Sequence, residues 1–175
     1  MKKILLPLLI FAISTSLTAQ NLLLSQVLDV RKQNLAGAEE YLTQRQWSLV
    51  NVKAPESGKF GILGFAYKKD NFSDKAESFI TLYYAENENT PNRINIQIHK
   101  TDKYNEYINQ IKKWGGKLYD SYIEDDVFFK IYQGSTMTYI VDSSTQESDF
   151  SSNRTIYSFY IMPNESFKYS SYNRK

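Results

Sequence analysis

The chain has 175 residues, with 21 Lys and Arg, 19 Asp and Glu, and no cysteine, which is one domain's worth of sequence. Disulfides, thiolate metal sites and cysteine nucleophiles are therefore excluded. Two of the basic residues lie in the N-terminal segment described next, so the rest of the chain is neutral. Without a run of basic residues it lacks the positive surface that binding to nucleic acid or an anionic membrane requires, and we expect no nucleic-acid partner.

The first nineteen residues have the layout of a secretory signal peptide. A pair of lysines is followed by an apolar run over 4–13 and by mostly small residues over 14–19. The apolar run is too short to span a bilayer as a helix, which argues against a retained membrane anchor, and its charged start argues against an ordinary first helix. We therefore expect cleavage after Ala19, a mature chain from Gln20 without an integral membrane segment, and export to the bacterial periplasm or exterior.

A helix followed by four strands is predicted between residues 22 and 99. Apolar residues recur every three or four positions over 22–46, which indicates one buried helical face, although Gly37 weakens its middle. Arg31 interrupts this face, and we interpret it as a packed stem with a solvated head rather than as a ligand-binding residue. Strand-like runs then occupy 48–53, 61–68, 78–85 and 93–99.

The same order of elements recurs between residues 101 and 162. Helical spacing over 102–114 begins with Thr101 or Asp102 as a cap and ends at two glycines. Four more strand-like runs occupy 117–124, 127–133, 137–142 and 155–162, and the tight turns between the first three predict antiparallel hairpins. The remaining sequence has no sustained period, so we expect 163–175 to be a loose C-terminal tail.

We therefore predict a single α+β domain over 20–162, built from two units at about 22–99 and 101–162. Each unit is a helix plus a four-stranded antiparallel meander, and the helices pack on one face of the sheet. Asn-Arg opens the last strand of both units, at Arg93 and Arg154, which supports a duplication. Two similar layouts without a common origin are the alternative.

This order of elements resembles the duplicated helix-plus-four-strand scaffold of the β-lactamase-inhibitor-protein-like and TATA-binding-protein-like folds. It is also similar to the layout of many exported bacterial proteins. The resemblance covers 22–162 and rests on element order alone. It therefore implies a fold but transfers no functional residue.

Few residues offer catalytic or metal-binding chemistry. His99 is the only histidine, and no hydrolase, zinc, phosphate-loop or dinucleotide motif accompanies it, so we interpret it as a solvent-facing strand residue. The acidic clusters at 70–74 and 124–126 lack calcium-loop spacing and are interpreted as solvated turns. We expect no cofactor and no metal. A carboxylate-based hydrolase stays open because its two acids need be close only in space.

The positive signal is aromatic: the chain carries 14 Tyr and 10 Phe, and several strands have rings in both alternation phases. One phase faces the helices, so the other forms either an open binding face or a second core layer under loops or the tail. We predict a non-enzymatic module that binds a protein or another macromolecule. Its candidate binding residues are Tyr84, Tyr132 and Tyr157, and the alternative function is a small hydrolase with a loop-lined cleft.

Overall fold

Four helices and eight strands make up the computed structural model, which describes residues 22–70, 75–87, 89–146 and 154–174. The predicted signal peptide and Gln20 lie outside the described residues. The elements in chain order are α1 (Leu24–Lys32), α2 (Leu35–Thr43), β1 (Trp47–Lys53), β2 (Gly61–Tyr67), β3 (Ser78–Tyr84), β4 (Arg93–Ile98), α3 (Thr101–Lys113), β5 (Lys117–Glu124), β6 (Val127–Gln133), β7 (Met137–Gln146), β8 (Arg154–Pro163) and α4 (Asn164–Phe167).

All eight strands join one antiparallel sheet in the order β1-β2-β3-β4-β8-β7-β6-β5. The α+β class and the antiparallel pairing predicted from the sequence are confirmed, and each strand lies within a few residues of its predicted position. The β5–β6 hairpin turns at Asp125 and Asp126, whose φ angles of 48° and 61° suit a tight two-residue turn. The described helices are all too short or too polar to traverse a lipid bilayer.

One face of the sheet, which we call the helix-side face, packs against α1, α2 and α3. Because side chains alternate across a strand, every second residue points to this face, except where the register shifts in β1 after Leu49 and in β5 after Leu118. The shared cluster has helical members Val27, Val30, Leu42, Tyr107 and Ile111 and sheet members Phe65, Ile80, Leu82, Ile94, Ile96, Val141, Phe159 and Ile161. Burial of this apolar surface is the main stabilising contribution of the fold.

The first helical segment is interrupted, but not at Gly37 as its low helix propensity suggested. The chain leaves the helix at Gln33 and re-enters it after Asn34, whose side-chain oxygen accepts a hydrogen bond of 2.8 Å from the Gly37 amide. Asn34 therefore caps α2, and Gly37 lies within its first turn. Within α2, Leu42 is fully buried while Leu35 is 37% exposed.

The third helix also differs from the prediction at its start. Lys100 is the N-cap residue of α3, and its side chain makes no capping hydrogen bond. Instead of capping the helix, the Thr101 hydroxyl lies 3.3 Å from the Tyr157 hydroxyl. The helix ends as predicted, because Gly115 takes a φ of +83°, which glycine adopts without strain.

Residues 163–175 were expected to be a loose tail, and the structure corrects this. Residues 164–174, which we call the C-terminal segment, form α4 and a run of turns that pack on the face opposite the helices. Phe167 is only 2% exposed and joins a second cluster with Ile131, Ile140 and Met162. The sequence of this short segment has no hydrophobic period, yet the buried ring of Phe167 packs it on the sheet.

Candidate binding site on the open sheet face

The face opposite the helices is only partly covered by the C-terminal segment. On β3 and β4, Ile80 and Ile96 point to the helix-side face, so their strand neighbours point the other way. These neighbours are all half-buried, and we call the surface they form the open face: Phe79, Thr81, Tyr83, Arg93, Asn95 and Gln97. Strand register places Tyr83 opposite Arg93 and Phe79 opposite Gln97.

Aromatic rings continue from the open face to the C-terminal segment. The Tyr83 and Tyr160 rings meet edge to face with centroids 5.4 Å apart. The centroid of Tyr172 lies 6.1 Å from that of Tyr160 and 6.0 Å from that of Phe129. These contacts make a continuous aromatic border between the open face and the second cluster, and such edge-on and tilted arrangements suit the ring quadrupole.

The end of the C-terminal segment is fixed to the outer strand β5. Arg174 forms a 2.6 Å ion pair with Glu124, and its guanidinium carbon lies 3.7 Å from the centroid of the Tyr122 ring. Tyr122 in turn stacks on Phe129 with centroids 4.9 Å apart. On this face the segment therefore lies against side chains of β5, β6, β7 and β8.

Arg93 is the cation of the open face. Its guanidinium carbon lies 4.3 Å from the centroid of the Phe60 ring, a cation–π arrangement that orients the guanidinium plane. Its Nε atom is shielded from solvent, yet it has no hydrogen-bond partner. Such an orphaned donor is uncommon in folded proteins and marks a place where an acceptor is missing.

Several polar side chains lie together near the centre of the sheet, close to Arg93. Asn95 Nδ2 donates a hydrogen bond of 3.0 Å to Ser158 Oγ. Burial raises the pKa of the Asp142 carboxyl, and a hydrogen bond from Ser158 opposes part of that rise. Burial, followed by the nearby Asp142 carboxylate, raises the pKa of the Tyr172 hydroxyl. Tyrosine hydroxyls here therefore remain protonated donors.

Asn95 and Tyr172 belong to the lining of a cavity of about 400 Å³ between the sheet and the C-terminal segment. The sheet contributes Tyr83, Arg93, Asn95 and Tyr160, and the segment contributes residues 169–172. The cavity is large enough for a side chain or a small organic molecule. Its lining offers hydrogen-bond donors, one positive charge and flat aromatic walls, which are features of a ligand-binding site.

The three tyrosines chosen from the sequence lie on the other face. Tyr132 is 6% exposed within the helix-side cluster, and Tyr157 stacks on Tyr104 of α3 with centroids 4.3 Å apart. Tyr84 shares the phase of Leu82 and donates a hydrogen bond from its hydroxyl to the Lys53 carbonyl. The structure thus does not place these three on the open face, and it does not bring them into one site.

The reason is a one-residue choice of phase. The polar residues of β4 lie on the open face, and the register places Phe79, Tyr83 and Tyr160 in the same phase, rather than the three predicted tyrosines. These three rings lie in strands that carry aromatic residues in both alternation phases. The sequence of one strand does not show which phase is open, because that depends on its register with partner strands. In the sequence Arg93 stands out only as part of the repeated Asn-Arg dipeptide, although a cation between aromatic strands is a usable signal of a binding site.

The remaining candidates have structural surroundings. His99 is half-buried just after β4, and burial, then the nearby Arg154, lower the pKa of its imidazole. Arg31 donates a 2.9 Å hydrogen bond to the Asn92 carbonyl, so its head is fixed to the fold rather than solvated. The acidic cluster at 70–74 lies mostly outside the described residues. Among those described, no group of three or more His, Asp or Glu could hold a metal ion.

Comparison with protein families, with curated proteins and with solved structures finds no match. The function must therefore be inferred from the open face itself. Its geometry provides recognition by ring stacking, hydrogen bonding and one guanidinium.

Proposed function

We propose that this chain is an exported, non-enzymatic binding protein whose open face docks a protein or another macromolecule. The observation that carries this proposal is the half-exposed row formed by Phe79, Thr81 and Tyr83 beside Arg93 and Asn95. Aromatic and arginine side chains supply most of the binding energy at protein interfaces, because they offer large contact areas and specific hydrogen bonds.

The surroundings of Asp142 support binding over carboxylate-based hydrolysis. A glycosidase requires two carboxyl groups that flank one bond, with pKa values pushed apart by their environments. The rise in the pKa of Asp142 comes from burial and is opposed by Ser158, with no contribution from a second carboxylate. Its neighbour in the register is Ser158, a hydrogen-bonding residue without acid–base function at neutral pH.

Site-specific photocrosslinking tests the proposal. A photoreactive amino acid placed at Thr81, on the open face, should yield a discrete adduct in intact cells that export the chain. The matched control is the same residue at Thr43, an exposed threonine on α2 whose hydroxyl bonds only to Glu39. Mass spectrometry would identify the partner and the first residue of the mature chain, for which we expect Gln20.

Equal adducts from positions 81 and 43 would indicate random collision, and no adduct at 81 would contradict docking on this face. A chain that retains residues 1–19 and stays in the cytoplasm would contradict export. Each of these results is read from the same sample, so failure of docking and failure of export are separable.

We further propose that the fold arose by duplication and belongs with the inhibitor-like and TATA-binding-protein-like scaffolds. The strand order runs from β1 to β4 and then from β8 back to β5. Each half is therefore a four-stranded meander, and the last strands of the two halves, β4 and β8, pair at the centre of the sheet. The halves differ in that two short helices precede the first and one longer helix precedes the second. A polypeptide of residues 20–99 should form a homodimer through β4, and a strictly monomeric or unfolded half would oppose the proposal.

A further inference from the structure

We propose that the cavity beside Arg93 binds a carboxylate group. This inference rests on the proposed function and deepens it, because it names the chemical group by which a partner is recognised. The carboxylate could belong to an acidic side chain of a protein partner or to a free organic acid, and the two sources share the same contact chemistry. The argument begins with the guanidinium.

Arg93 has donors but no acceptors. A guanidinium presents five N–H groups in a fixed plane, and within the described parts of the chain the Arg93 side chain makes no hydrogen bond or ion pair. Its Nε is shielded from water, so solvent does not supply the missing acceptor there. Arg31 and Arg154 also have an orphaned Nε. Arg31, however, donates a terminal N–H to the Asn92 carbonyl, and Arg154 lies near the Glu77 carboxylate. Arg93 is thus held by Phe60 alone, with its donors unused.

A carboxylate fits this arrangement better than a phosphate. Its two oxygens match a guanidinium edge in two parallel hydrogen bonds, and its single negative charge balances the single positive charge of Arg93. A phosphate dianion would bring a second negative charge into a cavity whose Tyr172 already lies near the Asp142 carboxylate. Stacking on Phe60 fixes the guanidinium plane before the ligand arrives, so less conformational freedom is lost on binding.

The rest of the cavity suits the atoms attached to the carboxylate. Tyr83 and Tyr160 present an edge-to-face pair of rings along one wall. Asn95, also part of the lining, lies directly opposite Tyr160 in the register and offers an amide. A ligand with a carboxylate head and a short apolar or aromatic body would therefore bury its body against the rings while its head meets Arg93.

Nuclear magnetic resonance titration of the mature chain tests the proposal with three probes. They are a blocked Gly-Glu-Gly tripeptide, the same tripeptide with Gln, and benzoate as a free acid. We expect the glutamate peptide or benzoate, or both, to shift the Nε–H signal of Arg93, whereas the glutamine peptide leaves it unmoved. The tighter of the two acids identifies the source of the carboxylate.

Variants locate the binding. Arg93→Gln should weaken binding of the acid about 10- to 100-fold, because a charge-assisted pair of hydrogen bonds is lost. Arg93→Lys should recover only part of that affinity, since an ammonium lacks the planar donor pair. The matched control is Arg45→Gln, which removes an arginine held 3.6 Å over the Tyr41 ring on α2. The Arg45→Gln variant should bind the acid with the same affinity as the unmodified chain.

Three results would overturn the inference: binding of neither acid, equal binding of the glutamine peptide, or undiminished binding to folded Arg93→Gln protein. If adducts form at Thr81 while no acid binds, the carboxylate inference fails and the proposed docking stands. If benzoate binds at Arg93 while Thr81 gives no adduct, the cavity serves a free acid and the proposed macromolecular docking fails.

Discussion

The hydroxyl of Tyr107 donates a hydrogen bond of 2.8 Å to the backbone carbonyl of Leu22. The same ring meets Phe159 edge to face with centroids 5.2 Å apart. Burial raises the pKa of the Tyr107 hydroxyl, so it remains a donor throughout the physiological range. One side chain of α3 thus connects the first described residue to the centre of the sheet.

Tyr107→Phe should lower the free energy of unfolding by about 1–3 kcal/mol, because the Leu22 carbonyl would lose its donor in a dry environment. Urea denaturation followed by tryptophan fluorescence would measure the change. Tyr169→Phe is the matched control, since that side chain is 91% exposed. Equal stability of the two variants would mean that the hydrogen bond contributes nothing net.

The two leucines of α2 should respond very differently to truncation. Leu42→Ala is expected to cost about 2–5 kcal/mol, because it leaves a cavity in the helix-side cluster. Leu35→Ala should change stability by less than about 1 kcal/mol, since its side chain already contacts water. Thermal denaturation of both variants would test this, and similar losses would contradict the assigned orientation of α2.

Phe167 should be the residue that holds the C-terminal segment on the sheet. Phe167→Ala is expected to cost about 3–5 kcal/mol, since a fully buried ring is lost from the second cluster. Hydrogen exchange of residues 164–174 should accelerate in the same variant. If the segment were loosely attached, Phe167→Ala would behave like Tyr169→Ala, whose side chain projects into solvent.

Asp142 should make the protein less stable as pH rises. Burial raises the pKa of its carboxyl in the folded state, so the folded chain holds the proton over a range where the unfolded chain has released it. Its contribution is therefore fully present below the unfolded pKa of about 4 and is lost as pH rises through the folded pKa. Urea titrations from pH 3 upward should show a flatter profile for Asp142→Asn.

The matched control for that titration is Asp126→Asn, at the exposed turn of the β5–β6 hairpin, where asparagine tolerates the positive φ. Its pH profile should follow that of the unmodified chain. A slope that survives in Asp142→Asn would assign the pH dependence to another group.

Serine substitutions should separate the two faces of the sheet. Tyr132→Ser is expected to cost roughly 3–5 kcal/mol, because it removes a buried ring from the helix-side cluster. Tyr83→Ser should leave the chain folded and reduce the adduct formed at Thr81, since its ring is half-exposed on the open face. Retention of the full adduct yield by folded Tyr83→Ser protein would remove this tyrosine from the site.

The eight strands could be predicted because each carries its own local pattern. The alternation of Ile94, Ile96 and Ile98 with polar residues is visible without knowledge of any partner strand. Turn chemistry supplied the boundaries, as at Asp125 and Asp126. Local patterns of this kind do not depend on which strands pair, so they were sufficient to predict the α+β class.

The site could not be predicted, because it depends on non-local pairing. Tyr83 joins the site only through its register with Arg93 and its contact with Tyr160. Nothing within β3 states which of its two phases the helices cover. The C-terminal segment was missed for a related reason, since one ring such as Phe167 anchors a short segment without producing a period.

The place of β8 in the sheet has a consequence for synthesis. β8 is made after the seven other strands of the described sheet, yet it lies between β4 and β7, where Ile161 pairs with Ile94. Until residues 154–163 are free, a nascent chain can form only separate half-sheets, each with an unpaired edge. Closure of the sheet therefore waits for the synthesis of β8, because β4 and β8 are far apart in the sequence and such non-local pairing forms slowly.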